Sequence, residues 1–526
     1  MVLSVPQIRD SERFTMQTEP IAPIDLMERA AAALLHEIRE TANYEVKNSY
    51  MIFCGAGNNG GDGLALARLL ASDNEEVTVV KCFGAMSLSP DCATNLQRLE
   101  KLSEQNMNLH IVDFNPDLQV KDGAHIFDAV FGIGLSRPIS GYFAEVVGFI
   151  NSQKRKCKIV SVDVPSGLFA DVPTPRENIV VNADETYTFQ FQKLAYLLPE
   201  NAERVGEVSV LDIGLKLPDE NVVFKPLAKM IDLELMRKIY RPLHRFDHKG
   251  TNGFGLLVAG SDAMPGAAVL AAEAAMRAGI GKVLVHTSLR PANALACRLP
   301  EALVEIDDND CFSNISLENL NVNAVAVGPG LGKSTKTVSA LKNLLDEIRS
   351  PLIIDADALN ILSENKTWLA YLPENSILTP HFKEFERLAG KSENDFERIG
   401  KLKDFSRKYG VIVILKGANS AVAFPDGRLF FNTTGNPGMA TAGAGDVLTG
   451  VLLACLAKGY PPEHAALLSV WLHGRAGDTA LAAPWDSASY VHESLIASDI
   501  SYNLGKAFYE IKYEWDANSC CDRKVL

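Results

Sequence analysis

The sequence predicts an α/β protein of two domains, each a parallel sheet with helices on both faces. Three observations carry this. At 526 residues the chain is longer than one hydrophobic core usually organises. Short apolar runs alternate with helical patterns along most of its length, as βα units do. A stretch rich in prolines and charges, Leu215 to His244, interrupts that alternation near the middle.

The elements follow in order. A helical segment, Asp25 to Thr41, carries LMERAAAALL. Ser49–Cys54, Glu76–Cys82, Asn108–Val112, His125–Val130 and Lys158–Val162 read as strands. Gly63–Ala71, Ala93–Ser103 and Phe143–Ile150 read as the helices between them. The boundary is expected near Pro218–Pro226, dividing the chain into residues 1–220 and 221–526. A second series begins with Phe254–Ala259, Ala267–Arg277, Lys282–Thr287 and Ala324–Val327. It continues with Leu352–Ile354, Ser376–Leu378 and Val411–Leu415, and ends in helices at Ala442–Leu456, Pro462–Leu481 and Glu493–Phe508. The polar tail from Lys512 to Leu526 reads as a surface extension. The halves share a class without a residue-level repeat.

Composition narrows the function. Hydrophobic residues at 47% and charged residues at 22% are ordinary for a globular enzyme. A net charge of -14 and a pI near 5.3 argue against broad nucleic-acid binding, which needs a basic stripe. They leave anionic nucleotides open, because glycine loops and helix N-termini bind phosphate through backbone N–H groups. The nine cysteines are scattered without a CxxC pair, so reduced thiols are expected rather than zinc. No charged-then-apolar leader opens the chain, and no apolar run reaches the ~18 residues that span a bilayer. The expected compartment is the cytoplasm, with no membrane partner.

Residues 55–63 read GAGNNGGDG between a strand and a helix. Gly55, Gly57 and Gly60 satisfy GxGxxG, a weak dinucleotide signal in a Rossmann-like domain. The ribose-binding acid expected after the second strand is missing, since that strand runs into Lys81-Cys82-Phe83-Gly84. Asn58, Asn59 and Asp62 instead put two amides and a carboxylate into one glycine-rich turn, facing an anion or a hard cation. A plain tight turn with Asx capping is the alternative. Two further strand ends carry acids, Phe127-Asp128-Ala129 and Val162-Asp163-Val164-Pro165-Ser166. Parallel strands bring their C-terminal ends to one ligand-binding edge, so Asn59, Asp128, Asp163 and Ser166 can converge there.

LMERA, GAGNNGGDG, FDAVFGIGL and VDVPSG resemble the NAD(P)H-hydrate epimerase family over roughly residues 20–215. The resemblance implies that Asn58, Asn59, Gly60, Gly61 and Asp62 bind the hydrated dinucleotide. With them go Gly132, Ile133, Gly134, Leu135, Ser136, Arg137, Pro138, Tyr142 and Asp163. It implies K⁺ at Asn59, Asp128 and Ser166, although oxygen ligands alone do not separate K⁺ from Na⁺. Asp163 is the candidate for proton transfer. The family often has glycine after LMERA, where this chain has Ala30-Ala31.

In the second half, Gly443-Ala444-Gly445-Asp446 opens an apolar helix. Small residues let successive N–H groups face one anion, and Asp446 beside them can take a proton from a hydroxyl. A merely capping Asp446 is the alternative. Motifs elsewhere favour a ligand edge: His248-Lys249-Gly250 with Gly260-Ser261, Gly328-Pro329-Gly330-Leu331-Gly332, Asp355-Ala356-Asp357, Thr379-Pro380-His381 and Lys416 to Ser420. His381 taken alone reads as a structural histidine.

HKGTNGFGLLVAGS, GPGLG, DADALN, LTPHFKEFERL, LKGANSAV and GNPGMATAGAGD resemble, in order, the NAD(P)H-hydrate dehydratases, a ribokinase-like group. The resemblance spans about residues 230–508. It implies that Ala267, Gly330, His381 and Asp446 contact the hydrate. Lys416, Gly417, Ala418, Asn419, Ser420 and Gly445 contact an adenine nucleotide, ADP or ATP, with Mg²⁺. Where the family often has GGSGD, this chain has AGAGD, losing a hydroxyl but keeping the backbone donors. The expected partners are small molecules, namely hydrated NADH and NADPH and ADP, and a second copy of the chain in a homo-oligomer. A small-molecule kinase fused to a dinucleotide-binding module, or a sensor that binds without turnover, are the competing readings.

Overall fold

The computed structural model describes residues 1–41, 49–218, 224–318, 320–481 and 491–513. Two compact units result, Met1–Ala228 with Asn394–Phe396, and Lys229–Glu393 with Glu397–Leu526.

The first unit runs α1 (Val5–Thr18), α2 (Pro23–Thr41), β1 (Ser49–Cys54), α3 (Asn58–Ser72), β2 (Glu76–Lys81) and α4 (Pro90–Ser103). It continues through β3 (Leu109–Asp113), β4 (His125–Ala129), α5 (Tyr142–Ser152), β5 (Lys158–Val162), β6 (Glu185–Phe189), α6 (Ala202–Val205) and β7 (Glu207–Leu211). All neighbours in the sheet β3-β2-β1-β4-β5-β6-β7 are parallel. Alternation along β1 explains the two helical layers: Tyr50, Ile52 and Cys54 enter one core, Met51 and Phe53 the other. The chain passes from β1 outward through β2 to β3 and then returns to β4 on the other side of β1. Such a reversal opens a crevice at the strand C-termini, here between the loops after β1 and β4.

The second unit runs β8 (Lys229–Met230), α7 (Leu233–Ile239), β9 (Phe254–Val258), α8 (Pro265–Arg277), β10 (Lys282–Thr287), α9 (Leu289–Arg298) and β11 (Leu303–Ile306). Then come β12 (Ala324–Val327), α10 (Thr335–Glu347), β13 (Leu352–Ile354), α11 (Ala356–Glu364), β14 (Ile377–Leu378), α12 (Phe382–Ala389) and α13 (Asp395–Tyr409). It closes with β15 (Ile412–Leu415), β16 (Ser420–Ala423), β17 (Leu429–Asn432), α14 (Ala444–Ala457), α15 (Pro462–Leu481) and α16 (Ala497–Lys512). The sheet order is β11-β10-β9-β12-β13-β14-β15-β16-β17-β8, and it reverses between β9 and β12. α14 is apolar nearly all round, as a helix enclosed in a large core must be, while α15 buries most of its length and keeps Glu463, His464, Arg475 and Asp478 at partly exposed positions.

The α/β class stands in both units, with several departures from the expected elements. The second sheet is mixed rather than parallel, because β16 pairs antiparallel with β15 and β17. The stretch expected to be linker contains β8 and the amphipathic α7, capped by Asp232. β6 and β7 extend the first sheet beyond the strands expected from the sequence. α1 was not anticipated either, although Ser4 and Gln7 form a capping box with a proline in the first turn. α3 starts at Asn58, not Gly63, and α16 starts at Ala497, four residues late. Residues 514–526 of the tail lie outside the described residues. No helix among the described residues is long and apolar enough to cross a membrane.

Candidate active sites

In the first unit a cavity of about 900 Å³ opens at the sheet reversal. Close backbone approach explains the glycines around it: a Cβ on Gly60 would sit 1.7 Å from the Gly55 carbonyl oxygen. This brings the start of α3 hard against the end of β1, so Asn58, Asn59 and Asp62 belong to the helix rather than to a turn before it. The N-cap is Gly57, without a side-chain cap, so Asx capping does not account for the motif. Asn58, Asn59, Asp62, Gly132, Ile133, Gly134, Leu135, Ser136, Arg137, Pro138 and Asp163 line the cavity. Gly60, Gly61 and Tyr142 are not among its lining residues; Gly61 faces Met27, and Tyr142 packs on Phe114 and Phe143.

Asp128 and Ser166 lie together beneath this cavity. Ser166 donates to Asp128 through its hydroxyl at 2.6 Å and its N–H at 2.8 Å, and Ser161 donates at 3.0 Å. Asp128 is fully buried, its donors are neutral, and no cation pairs with it among the described residues. Burial raises its pKa and the donors oppose that. The Phe131 N–H donates to the Ser166 hydroxyl, which links the pair to the loop beside Asn59. The Asn59 side-chain nitrogen is buried without a partner among the described residues. A buried carboxylate lacking counter-charge among the described residues suits a hard monovalent cation.

Asp163 follows β5 with a φ of 63°, a costly conformation for a residue with a side chain. Its carboxylate accepts from Lys193 Nζ at 2.7 Å and from Thr188 Oγ1 at 3.2 Å. Lys193 is 1% exposed, and Tyr196 donates to the Asp163 carbonyl oxygen. Lys193 was not found from the sequence; the signal available was one lysine inside the apolar stretch FQFQKLAYLL. Nor were Arg9 and Glu12, which α1 contributes to the cavity wall. Asp62 is half-buried, and its pKa is raised well above the usual range by desolvation and by its neighbours Asp163, Glu12 and Asp91.

The second unit has a cavity of about 800 Å³ at the ends of β13, β14 and β15 and the start of α14. Gly443 caps α14 with a φ of 90°, which aims the helix N-terminus into the cavity. No side chain caps this helix, so Asp446 in its first turn is free of that role. Burial and then Asp355 push the Asp446 pKa up to about 7, against the pull of Lys416. Lys416 Nζ donates to Asp355 at 2.7 Å, and Thr449 donates to the other oxygen at 2.9 Å. Together these bonds fix the lysine beside Gly445. His473 donates from Nε2 to the Ala444 carbonyl at 2.8 Å, and burial lowers its pKa to about 4, so it is neutral.

Lys416, Gly417, Ala418, Ser420, Gly445, Asp446 and His381 line this cavity. His381 is the N-cap of α12, its Nδ1 accepting from the N–H groups of Lys383 and Glu384. Its Nε2 lies 3.6 Å from Glu384 Oε1. Ala267 and Gly330 are not among the lining residues. They meet at the β9–β12 reversal, where Gly260 N–H donates to the Pro329 carbonyl and Ser261 to that of Gly330. Asn419 is not a lining residue either. His248-Lys249-Gly250 does not reach the ligand edge. Gly253 abuts Ala457, the last residue of α14, which places the motif about 20 Å from the first turn of that helix.

Comparison with known proteins adds independent findings. Residues 255–500 match the family model described as NAD(P)H-hydrate dehydratase, and residues 23–195 match that of the YjeF-related protein N-terminus. The bifunctional NAD(P)H-hydrate repair enzyme of Moorella thermoacetica is 33% identical, over 91% of this chain and 92% of that one. The Escherichia coli enzyme of the same name is 32% identical, over 94% and 92%. The ADP/ATP-dependent NAD(P)H-hydrate dehydratase of Bacillus subtilis, co-crystallised with ATP and Mg²⁺, is 31% identical with a TM-score of 0.47, and covers 54% of this chain and 99% of its own.

Proposed function

The chain belongs to the bifunctional NAD(P)H-hydrate repair enzymes, and we propose that its first unit epimerises hydrated NADH and NADPH while its second dehydrates the usable epimer with ADP or ATP. The observation that carries the reading is Asp446, a carboxyl with a pKa of about 7 beside an uncapped helix N-terminus.

The lesion is water added across a ring double bond of the reduced nicotinamide, and hydroxide is a poor leaving group. In the second unit Asp446 takes the proton of the added hydroxyl as its oxygen attacks the terminal phosphorus of the nucleotide, and the bond from that phosphorus to the bridging oxygen breaks, its electron pair leaving with the shortened nucleotide. The N–H groups at Ala444 and Gly445 hold the transferred phosphoryl oxygens, and Lys416, fixed by Asp355, lies beside them. Phosphate then leaves and the double bond re-forms as the neighbouring carbon loses a proton. Mg²⁺ entering with the nucleotide would neutralise its phosphate oxygens. The cavity fits this, since Asp355, Glu384 and Asp446 face it with Lys416 as the one lysine among the described residues of its lining. His473 keeps the Ala444 carbonyl in place, and with it the anion-binding turn.

In the first unit the hydrate lies in the cavity bounded by the glycine loop and residues 132–138, its phosphates toward the N-terminus of α3. Asp163, positioned by Lys193 and Thr188, exchanges protons with the substrate. Asn59, Asp128 and Ser166 would hold K⁺, which supplies counter-charge to the buried carboxylate and rigidity to the loop after β4. The proposed setting is the cytoplasm, and the proposed assembly a homo-oligomer. The fused kinase and the silent sensor gain no support, since both candidate catalytic carboxylates line cavities with their supporting groups in place. Incubating the protein with an epimeric hydrate mixture, ADP and Mg²⁺ tests the reading. Absorbance of reduced nicotinamide should return only with nucleotide present, and a protein that restores none contradicts it.

A further inference from the structure

We infer that Glu12, on the N-terminal helix α1, is the second acid–base group of the epimerisation site and works in a pair with Asp163. This rests on the epimerase reading of the first unit.

α1 is fixed in place. Its N-terminal Val5 N–H donates to Asp171 at 2.6 Å, and Ser11 donates to the Lys216 carbonyl at 2.8 Å. The Lys216 N–H in turn donates to Thr15 at 2.8 Å. Ile8, Ser11 and Thr15 form its buried face, and Arg9 and Glu12, one turn apart, form the edge that meets the cavity. Arg9 reaches the loop after β4, where a Cβ on Gly134 would lie 3.6 Å from its guanidinium. Glu12 is shared between the main cavity and a recess of about 130 Å³ that also contains Asp62, Asp91, Asp163 and Lys193. Asp163 is occupied by Lys193 and Thr188. Glu12, by contrast, makes no hydrogen bond or ion pair among the described residues, although α1 is anchored and capped around it. A carboxyl left unpaired in a substrate cavity, on a helix held by bonds to distant parts of the chain, is available for chemistry. Burial, then Asp163, raises its pKa, while Lys193 and Arg9 pull the other way. Glu12 and Asp163 thus face one cavity, the first with no partner among the described residues and the second held by Lys193 and Thr188.

The chemistry needs such a pair. The added hydroxyl stands on the carbon next to the ring nitrogen, where the nitrogen lone pair stabilises a developing cation. Glu12 gives its proton to the hydroxyl oxygen, and the C–O bond breaks with its electron pair leaving in water. The ring nitrogen's lone pair then forms C=N⁺. Water adds to the other face, the C=N electrons return to nitrogen, and the adding water gives its proton to Asp163. No oxidant or reductant is used, and no atom is gained or lost. The reverse reaction starts with the proton on Asp163 and ends with it on Glu12. One proton shared by two carboxyls thus serves both directions, as an epimerase requires.

The test uses the full-length protein without nucleotide, so that dehydration is idle. It starts from one pure epimer and follows both by chiral separation across pH. Protonated Glu12 is the active form toward the leaving hydroxyl, so the wild-type rate should fall as pH rises through its raised pKa. Glu12→Gln should lose about 10²-fold or more in rate and lose that fall. Glu12→Asp should regain part of the rate and the fall with it. Dehydration of the usable epimer with ADP should be unchanged in both variants, and an unaltered circular dichroism spectrum and thermal unfolding curve separate lost chemistry from misfolding of the first unit. A Glu12→Gln variant within about threefold of wild type, or one retaining the same fall, overturns the inference. A wild type that leaves the epimers at their uncatalysed rate overturns the epimerase reading as well.

Discussion

Replacing Asp446 with asparagine should make the second unit slower and more stable at once. The pKa of Asp446 moves from 3.8 to about 7, roughly three units, because burial and Asp355 disfavour the charged form. At 1.36 kcal/mol per unit, holding it ionised costs about 4 kcal/mol, or about 2–4 kcal/mol allowing for solvent reaching its partly exposed edge. The folded pKa is raised, so the group's contribution to stability is fully present below the unfolded value. It is lost as pH rises through about 7. Asparagine cannot ionise, so the Asp446→Asn variant should match wild type near pH 4 and exceed its stability by about 2–4 kcal/mol at pH 8. Trp368, Trp471, Trp485 and Trp515 all belong to the second unit's stretch of sequence, so tryptophan fluorescence during denaturant unfolding reads this unit alone. Dehydration should meanwhile drop about 10²–10⁴-fold, the usual cost of losing a general base. Wild-type dehydration should rise with pH up to about 7 and then level off. A variant no more stable than wild type at pH 8, or near-normal dehydration by it, would refute the role given to Asp446.

Two further outcomes are expected. ADP should outperform ATP as phosphate donor in steady-state comparison with Mg²⁺; a clear ATP preference refutes it. Asp128→Asn removes the buried charge that a cation would balance, so epimerisation should lose its response to a K⁺ titration while dehydration of the usable epimer continues; an unchanged response counts against the cation site.

Legibility varied with how local the cause of each feature was. The order of βα units was readable because parallel strands are buried on both faces and give unbroken apolar runs, as in MIFC and LLVAG. The glycine loop and GAGD were readable because close backbone approach leaves few residue choices, as at Gly60. β16 and β17 were missed because short strands alternating with polar turns carry little periodicity. α1 was missed although its capping box lay in the sequence. Lys193 and Glu12 were missed for a different reason. Their importance comes from meeting Asp163 in space, and neither is marked by its own neighbours in the chain. The start of α3 was placed late because glycines in a helix interior are normally unfavourable, and here contact with the β1 and β4 ends overrides that preference.

The division of labour between the units is tested most directly by progress curves on an epimeric hydrate mixture with ADP and Mg²⁺. Wild type should convert the mixture in one smooth phase, since the first unit replenishes what the second consumes. Asp163→Ala, in a different unit from Asp446, should leave dehydration intact and give two phases. The usable epimer should disappear at the wild-type rate, and the other only as fast as it epimerises unaided. A single fast phase from Asp163→Ala, with chiral separation showing both epimers consumed alike, would contradict the account.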